Sequence, residues 1–466
     1  AIIAWALLMV GSGFSVGAKN VKPNLVLFVA DDHTATDCGA YGSREARTPN
    51  IDRLAREGLL FRNAFAGSPT CMPSRAVLFT GLMPFRNGAH ANNLAGQSQC
   101  REDIRSLPHY LKELGYRVAQ AGKTHFGPKS VFPFERIENS EVPEPGFKNN
   151  RALRMDLNTN AVDEWLGKIS RDEPFCLVVC DHSPHVIWPE NATYDPATIT
   201  VPPNHIDTPS LRKSRARYYT DISKMDSNVG NVLASLEKNS FATNTVFIYT
   251  ADQGAQWPFA KWGLYDQGIR VPFIVRWPGR ISPDTQTDAL ISLADVLPTF
   301  MELAGGKAPS DLDGKSFLAV LERKTKIHRE AIFATHSQDG FQMNISPMRC
   351  VRTSRYKYIF NLSPENEYVT HMDKAKDHDG GREYWSSWVQ KAETDSRAKD
   401  ILQRYHWRLR EELYDVVLDP YEFHNLAGDP IYSDVKSDLS KLLVAWRKEQ
   451  NDTKTGADGV PEKPQK

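Results

Sequence analysis

Three things are scarce in this chain. Its charge has no preferred sign, because Lys plus Arg and Asp plus Glu are 57 each and the formal net charge is zero. A nucleic-acid binder would show a basic excess in that balance, so none is expected as a partner. Any anionic ligand must be met by positive charge gathered locally. Cysteine is rare as well: six residues in 466 exclude a disulfide-stapled scaffold. The apolar start, residues 1–10, is too short to span a bilayer. With the small residues Val16, Gly17 and Ala18 behind it, the stretch 1–18 reads as the remnant of a secretory signal peptide. The mature chain is therefore expected to be exported, periplasmic or secreted, with no membrane span.

What is present is a set of buried-strand patterns with chemistry at their ends. Residues 24–30 are almost wholly apolar, as in a parallel strand covered on both faces, and they stop at Asp31 and Asp32. A helix N-cap needs one Asp; two adjacent buried carboxylates repel, lose hydration and point to a hard divalent cation. A second strand, 116–121, runs into Gly122, Lys123, Thr124 and His125, and on an extended backbone Lys123 and His125 would share a side. A third, 174–180, empties into Asp181, His182, Ser183, Pro184 and His185, and a fourth, 245–251, delivers Asp252 and Gln253. Ligands of open α/β sheets lie beyond the carboxyl ends of the strands, so these distant positions should converge on one edge.

The remaining patterns complete an α/β expectation: a large mixed, mostly parallel sheet sandwiched by helices, plus a smaller C-terminal domain. Helices are read at 52–65, 107–114, 160–170 and 218–236, and another at 293–303, interrupted at Pro298. Residues 131–150 read as a surface loop, and the proline-rich stretch 188–209 as a long loop shaping a substrate mouth. Composition turns polar around 305–330, which places a catalytic domain at 19–325 and a C-terminal subdomain at 326–466. Alternation in 348–360 and 413–417 suggests an antiparallel sheet closed by a helix from about 435 to 449, with a loose tail from Asn451.

One stretch organises the rest. Cys71, Met72, Pro73, Ser74 and Arg75 precede an apolar run that Gly81 can stop. Pro73 suits a first helical turn, which sets Cys71 at a helix N-terminus, where unpaired backbone N–H groups favour an anion. A lone cysteine there could equally be a small buried hydrophobe.

This C-x-P-S-R stretch with its trailing Thr80 and Gly81 resembles the signature of the type I sulfatases of the alkaline phosphatase-like superfamily. The run Glu412-Leu413-Tyr414-Asp415, followed by Asp419-Pro420-Tyr421-Glu422 and Asn425-Leu426-Ala427, is similar to that family's C-terminal pattern. Residues 59–65 and 347–349 look most like the heparan N-sulfatases, or sulfamidases. The resemblance implies that a maturation enzyme oxidises Cys71 to formylglycine, whose hydrate is the nucleophile. It implies calcium held by Asp31, Asp32, Asp252 and Gln253 with the modified Cys71, Gln253 standing where the family usually has Asn or His. Arg75 and His125 would hold the hydrate, Lys123 and Lys261 would grip the sulfate, and His185 would protonate the leaving group. Sulfamidases carry Arg at the position of Lys261 and an acidic residue at that of Ser183, so an O-sulfate ester and an N-sulfate both stand as substrates on a sulfated saccharide. A phosphonate or phosphodiester hydrolase and an inactive glycan-binding homologue are the alternatives.

Overall fold

A computed structural model describes residues 22–92, 99–143, 155–337, 345–374 and 382–452. The signal-peptide stretch 1–18 and the tail from 453 lie outside the described residues. The four strands singled out above are adjacent and parallel at the heart of a nine-stranded sheet, in the order Thr245–Ala251, Asn24–Ala30, Phe175–Cys180, Arg117–Gly122. Every residue of Asn24–Ala30, Phe175–Cys180 and Thr245–Ala251 is buried, as unbroken apolar runs require. On the far side of Thr245–Ala251 the sheet turns mixed. Phe273–Arg276 is antiparallel to it and to Leu59–Phe65, and Thr285–Ser292 lies parallel to Leu59–Phe65. Helices pack in two groups, one built on the 30-residue helix Pro209–Lys238 and the other joining Cys71–Thr80, Leu107–Glu113 and Val296–Leu303.

The second sheet is four-stranded and wholly antiparallel: Ala331–His336, Met348–Thr353, Tyr356–Asn361 and Glu411–Asp415. Helix Ser433–Glu449 closes it through Leu439, Leu443 and Trp446, whose indole stacks on Phe333 with centroids 4.6 Å apart.

Several expectations change. Residues 52–65 are not one helix: Pro49–Arg56 is helical, and Leu59–Phe65 is a sheet strand. The break is Gly58, where a Cβ would lie 2.3 Å from the Val275 carbonyl oxygen, so only glycine lets the chain turn against that strand. Pro298 interrupts nothing. It sits in the first turn of Val296–Leu303, where its missing N–H leaves no helical bond unmade. The stretch 131–143 is not a surface loop throughout, since Val131, Phe132 and Ile137 are buried and Phe132 packs on Phe79 and Phe126. The long helix begins at Pro209, nine residues before the stripe of apolar residues, because Thr208 Oγ1 accepts the Leu211 N–H and Pro209 takes the first turn. The tail is tied at Asp452, which is buried and pairs with Arg349 at 2.5 Å and Arg447 at 2.9 Å.

Gly122, which leads the chain from its strand to Lys123, has φ of 74°, and a Cβ there would stand 2.0 Å from the Cys180 carbonyl oxygen. Gly122→Ala is expected to cost about 3 kcal/mol or more, from left-handed strain and backbone collision together. A lowered urea midpoint at unchanged slope would show it; a midpoint within error of the wild type would count against the packing described.

Candidate active site

The strand ladder continues one residue past the sheet and thereby aligns the polar ends. Asp252 N–H donates to the Ala30 carbonyl at 3.0 Å, Asp181 N–H to Val29 at 2.9 Å, and Lys123 N–H to Cys180 at 2.9 Å. Asp32 then adopts a left-handed φ of 67°, and its N–H donates to Asp252 Oδ1 at 3.1 Å. A non-glycine residue pays for that conformation, and such strain gathers at functional sites. Asp31 and Asp252, 221 positions apart, are thus brought to one place, and both are fully buried.

The helix Cys71–Thr80 points its N-terminus at this cluster. Cys71 is its first residue, with Thr70 at the N-cap, and all ten residues are buried. The Cys71 thiol donates to Asp31 Oδ1 at 3.5 Å and accepts from Gln253 Nε2 at 3.2 Å. One turn on, Arg75 donates from Nε to Asp252 Oδ2 at 2.9 Å and lies 3.6 Å from Asp31 Oδ1. Ser74 Oγ donates to the Asp252 carbonyl at 2.5 Å. Lys123 pairs with Asp31 and stands 3.9 Å from Cys71 Sγ; Lys261 pairs with Asp32 at 2.7 Å; His185 Nε2 is 3.8 Å from Asp32 Oδ2.

Three carboxylates and three cations therefore enclose one sulfur, and the electrostatics follow. Burial pushes Asp31 upward, but Lys123 and Arg75 hold it well below the usual carboxylate range. Asp32 is pushed by burial up to about 6, and Asp252 up to about 7. Burial also drives the His185 pKa far down, with Lys261 and Lys123 adding to it. Its Nδ1 lies 2.6 Å from the Val186 carbonyl, which fixes the proton there and leaves Nε2 toward the cluster. The Cys71 thiol is pushed up by burial, so an unmodified cysteine here is a poor nucleophile at neutral pH.

The residues suit a hard divalent cation. Ligand atoms of Asp31, Asp32, Cys71 and His185 lie within 4.8 Å of one another. Gln253 Oε1 is buried beside them with no hydrogen-bond partner, while its Nε2 donates to Asp32 Oδ1 at 2.5 Å. A carbonyl oxygen stranded among carboxylates is costly unless a cation takes it, and oxygen is what calcium or magnesium takes.

The geometry also corrects the sequence reading. His125 has a φ of 28°, so the backbone leaves the extended alternation after Lys123 and the argument that both share a side does not hold. Asp181 turns away from the cluster, accepting from Asn228 Nδ2 at 2.8 Å and the Ser183 N–H at 3.0 Å. Ser183 Oγ donates to Asp221 on the long helix at 3.0 Å. A contact that no sequence pattern marks joins His182 Nε2 to Glu141 at 2.5 Å, and Glu141 also pairs with Arg136. Glu141 stood in a stretch rich in Pro, Glu and Asn, where nothing local separates a partner of His182 from a solvated loop residue.

A family model described as Sulfatase matches residues 23–306, and one described as N-sulphoglucosamine sulphohydrolase, C-terminal, matches residues 254–387. An ulvan-active sulfatase of Formosa agariphila is 34% identical over 439 residues, covering 93% of this chain and 82% of the relative. The N-sulphoglucosamine sulphohydrolase of Homo sapiens is 31% identical over 516 residues, covering 98% and 95%. The phosphonate monoester hydrolase of Agrobacterium radiobacter matches with a TM-score of 0.69 at 19% identity, over 92% of this chain and 96% of that one, a likeness of fold. With a family model matching more than half of its length and two such relatives aligned over nearly all of it, this chain belongs to the sulfatase family, hydrolases of sulfuric esters.

Proposed function

We propose that the protein removes sulfate from a sulfated saccharide or polysaccharide, with Cys71 as formylglycine and calcium as its metal. The observation that carries this reading is the buried sulfur of Cys71 set between carboxylates and ammonium groups. Asp31, Asp32, Asp252, Gln253 and the modified Cys71 would hold the calcium. When bound, calcium supplies Lewis-acid polarisation of a sulfate oxygen and a lowered pKa at an oxygen beside it.

The chain's own residues do the rest. Arg75 orients the residue at position 71, where one hydroxyl of the hydrate attacks sulfur in line as the bond to the leaving oxygen or nitrogen breaks; the second hydroxyl then loses its proton and collapses to the aldehyde, expelling sulfate, and water rehydrates the aldehyde. Lys123 and Lys261 neutralise charge that grows on the transferring group, help that matters most in a dry site. With the anionic sulfate group bound beside it, His185 would take up a second proton at Nε2 and hand it to the departing oxygen or nitrogen, a contribution of about 10²-fold to 10⁴-fold for such acids. His125 is assigned to hydrogen-bond the hydrate. We place this chemistry in residues 19–325, completed by the C-terminal subdomain 326–466, in an exported protein matured by a formylglycine-generating enzyme.

The N-sulfate reading is favoured by the match of residues 254–387 to the sulphohydrolase C-terminal model. The O-sulfate reading is favoured by Ser183, a neutral residue where sulfamidases carry an acidic one, whose hydroxyl is spent on Asp221. A screen of the matured protein against defined sulfated mono- and disaccharides, N-sulfoglucosamine included, is expected to give sulfate release from at least one. Faster turnover of an aryl phosphodiester than of any sulfate would overturn the proposal.

A further inference from the structure

The segment that carries Lys261 leaves the main sheet at Asp252 and returns at Gly268, whose carbonyl accepts the Gly254 N–H at 2.9 Å. Phe259 and Trp262, on either side of Lys261, have φ of 63° and 66°. Two non-glycine residues in the left-handed region make this conformation expensive, so something must hold it.

The second sheet supplies that hold. Lys357, fully buried on Tyr356–Asn361, donates to the Leu264 carbonyl at 3.1 Å and pairs with both Asp266 and Glu422, the latter at 2.9 Å. Glu422 Oε2 accepts the Asp266 N–H at 2.6 Å. Tyr265 donates its hydroxyl to Glu412 at 2.8 Å, and Arg352 reaches Asp266 at 3.2 Å. Leu264, Tyr265 and Asp266 are thus gripped in succession, three to five positions beyond Lys261, by groups that water does not reach. Buried charge of this kind is a poor source of stability but a good determinant of a single geometry.

We infer that Lys357 is a positioning residue for hydrolysis: through Leu264 and Asp266 it fixes the loop that aims the Lys261 ammonium at the reacting group. The inference rests on the assignment of Lys261 to the sulfate. A misplacement of about 1 Å in such a group can cost 10²-fold in rate.

The test is a double-mutant cycle with 4-nitrophenyl sulfate as probe. Lys357→Met is expected to lower kcat about 10²-fold with KM within about threefold, because the lost contact matters in the transition state. In the Lys261→Ala background the same change is expected to cost no more than about twofold. Tyr265→Phe, which loses only the hydroxyl bond to Glu412, guards against a Lys357→Met protein that fails to fold. It should show a smaller loss with Lys261 present and none without it. Equal losses in both backgrounds would overturn the positioning role while leaving the assignment of Lys261 intact. A Lys261→Ala enzyme at wild-type rate would overturn that assignment and the positioning role with it.

Discussion

Cys71→Ala is expected to abolish hydrolysis of aryl and saccharide sulfates, with a loss on the order of 10⁶-fold, the scale seen when a covalent nucleophile is removed from an enzyme that keeps its binding groups. The fold is expected to survive this change. Cys71 contributes one sulfur atom to a wall otherwise made of charged partners, so truncation to Ala costs about 1 kcal/mol, as for other small buried deletions. Activity and stability should therefore separate: an unchanged circular dichroism spectrum, a midpoint shifted by a few degrees, and no sulfate release above the uncatalysed rate. Cys71→Ser, which keeps the size but is not a cysteine, serves as the companion. Mass spectrometry of active wild-type protein should find position 71 lighter than cysteine by the difference between a thiol and an aldehyde. Retention of even one part in a thousand of wild-type activity in a contaminant-free Cys71→Ala preparation would refute the nucleophile assignment.

Removal of the metal has the second largest effect. Treatment with EGTA is expected to lower sulfate turnover at least about 10²-fold, the loss typical of one electrostatic stabiliser in a water-excluded site. Calcium should restore it. The same ion should raise the thermal midpoint, since a ligand bound only by the folded state adds about 2.7 kcal/mol at a concentration 100 times its Kd. Asp31→Asn should abolish both responses, because it removes the carboxylate shared by Lys123, Arg75 and Cys71. Full activity in protein shown by elemental analysis to be metal-free, with no shift on adding calcium, would rule out the site.

How far the site was legible in advance can be judged residue by residue. Asp31, Asp252 and Lys123 could be placed together because unbroken apolar runs mark fully covered parallel strands, and such strands deliver their ends to one edge. Helix Pro49–Arg56 and strand Leu59–Phe65 were fused because apolar residues continue across Gly58, and a close approach to Val275 leaves no local trace. The expectation that Lys123 and His125 share a side failed for a related reason: an alternation argument assumes an extended backbone, and a φ of 28° ends it. The pairing of Lys357 with Asp266 and Glu422 spans 91 and 65 positions and involves residue types common on any surface. Only the folded arrangement distinguishes them from solvated charges.

The ten buried residues of Cys71–Thr80 set a schedule for biosynthesis. Under the proposed maturation, the modifying enzyme would have to reach Cys71, Pro73 and Arg75, yet in the finished protein all three are buried. Oxidation of the sulfur would then precede the burial of this helix. Chain that folds first would be locked out, so in a foreign host the yield of competent protein is expected to follow how fast such a modifying activity meets the unfolded chain.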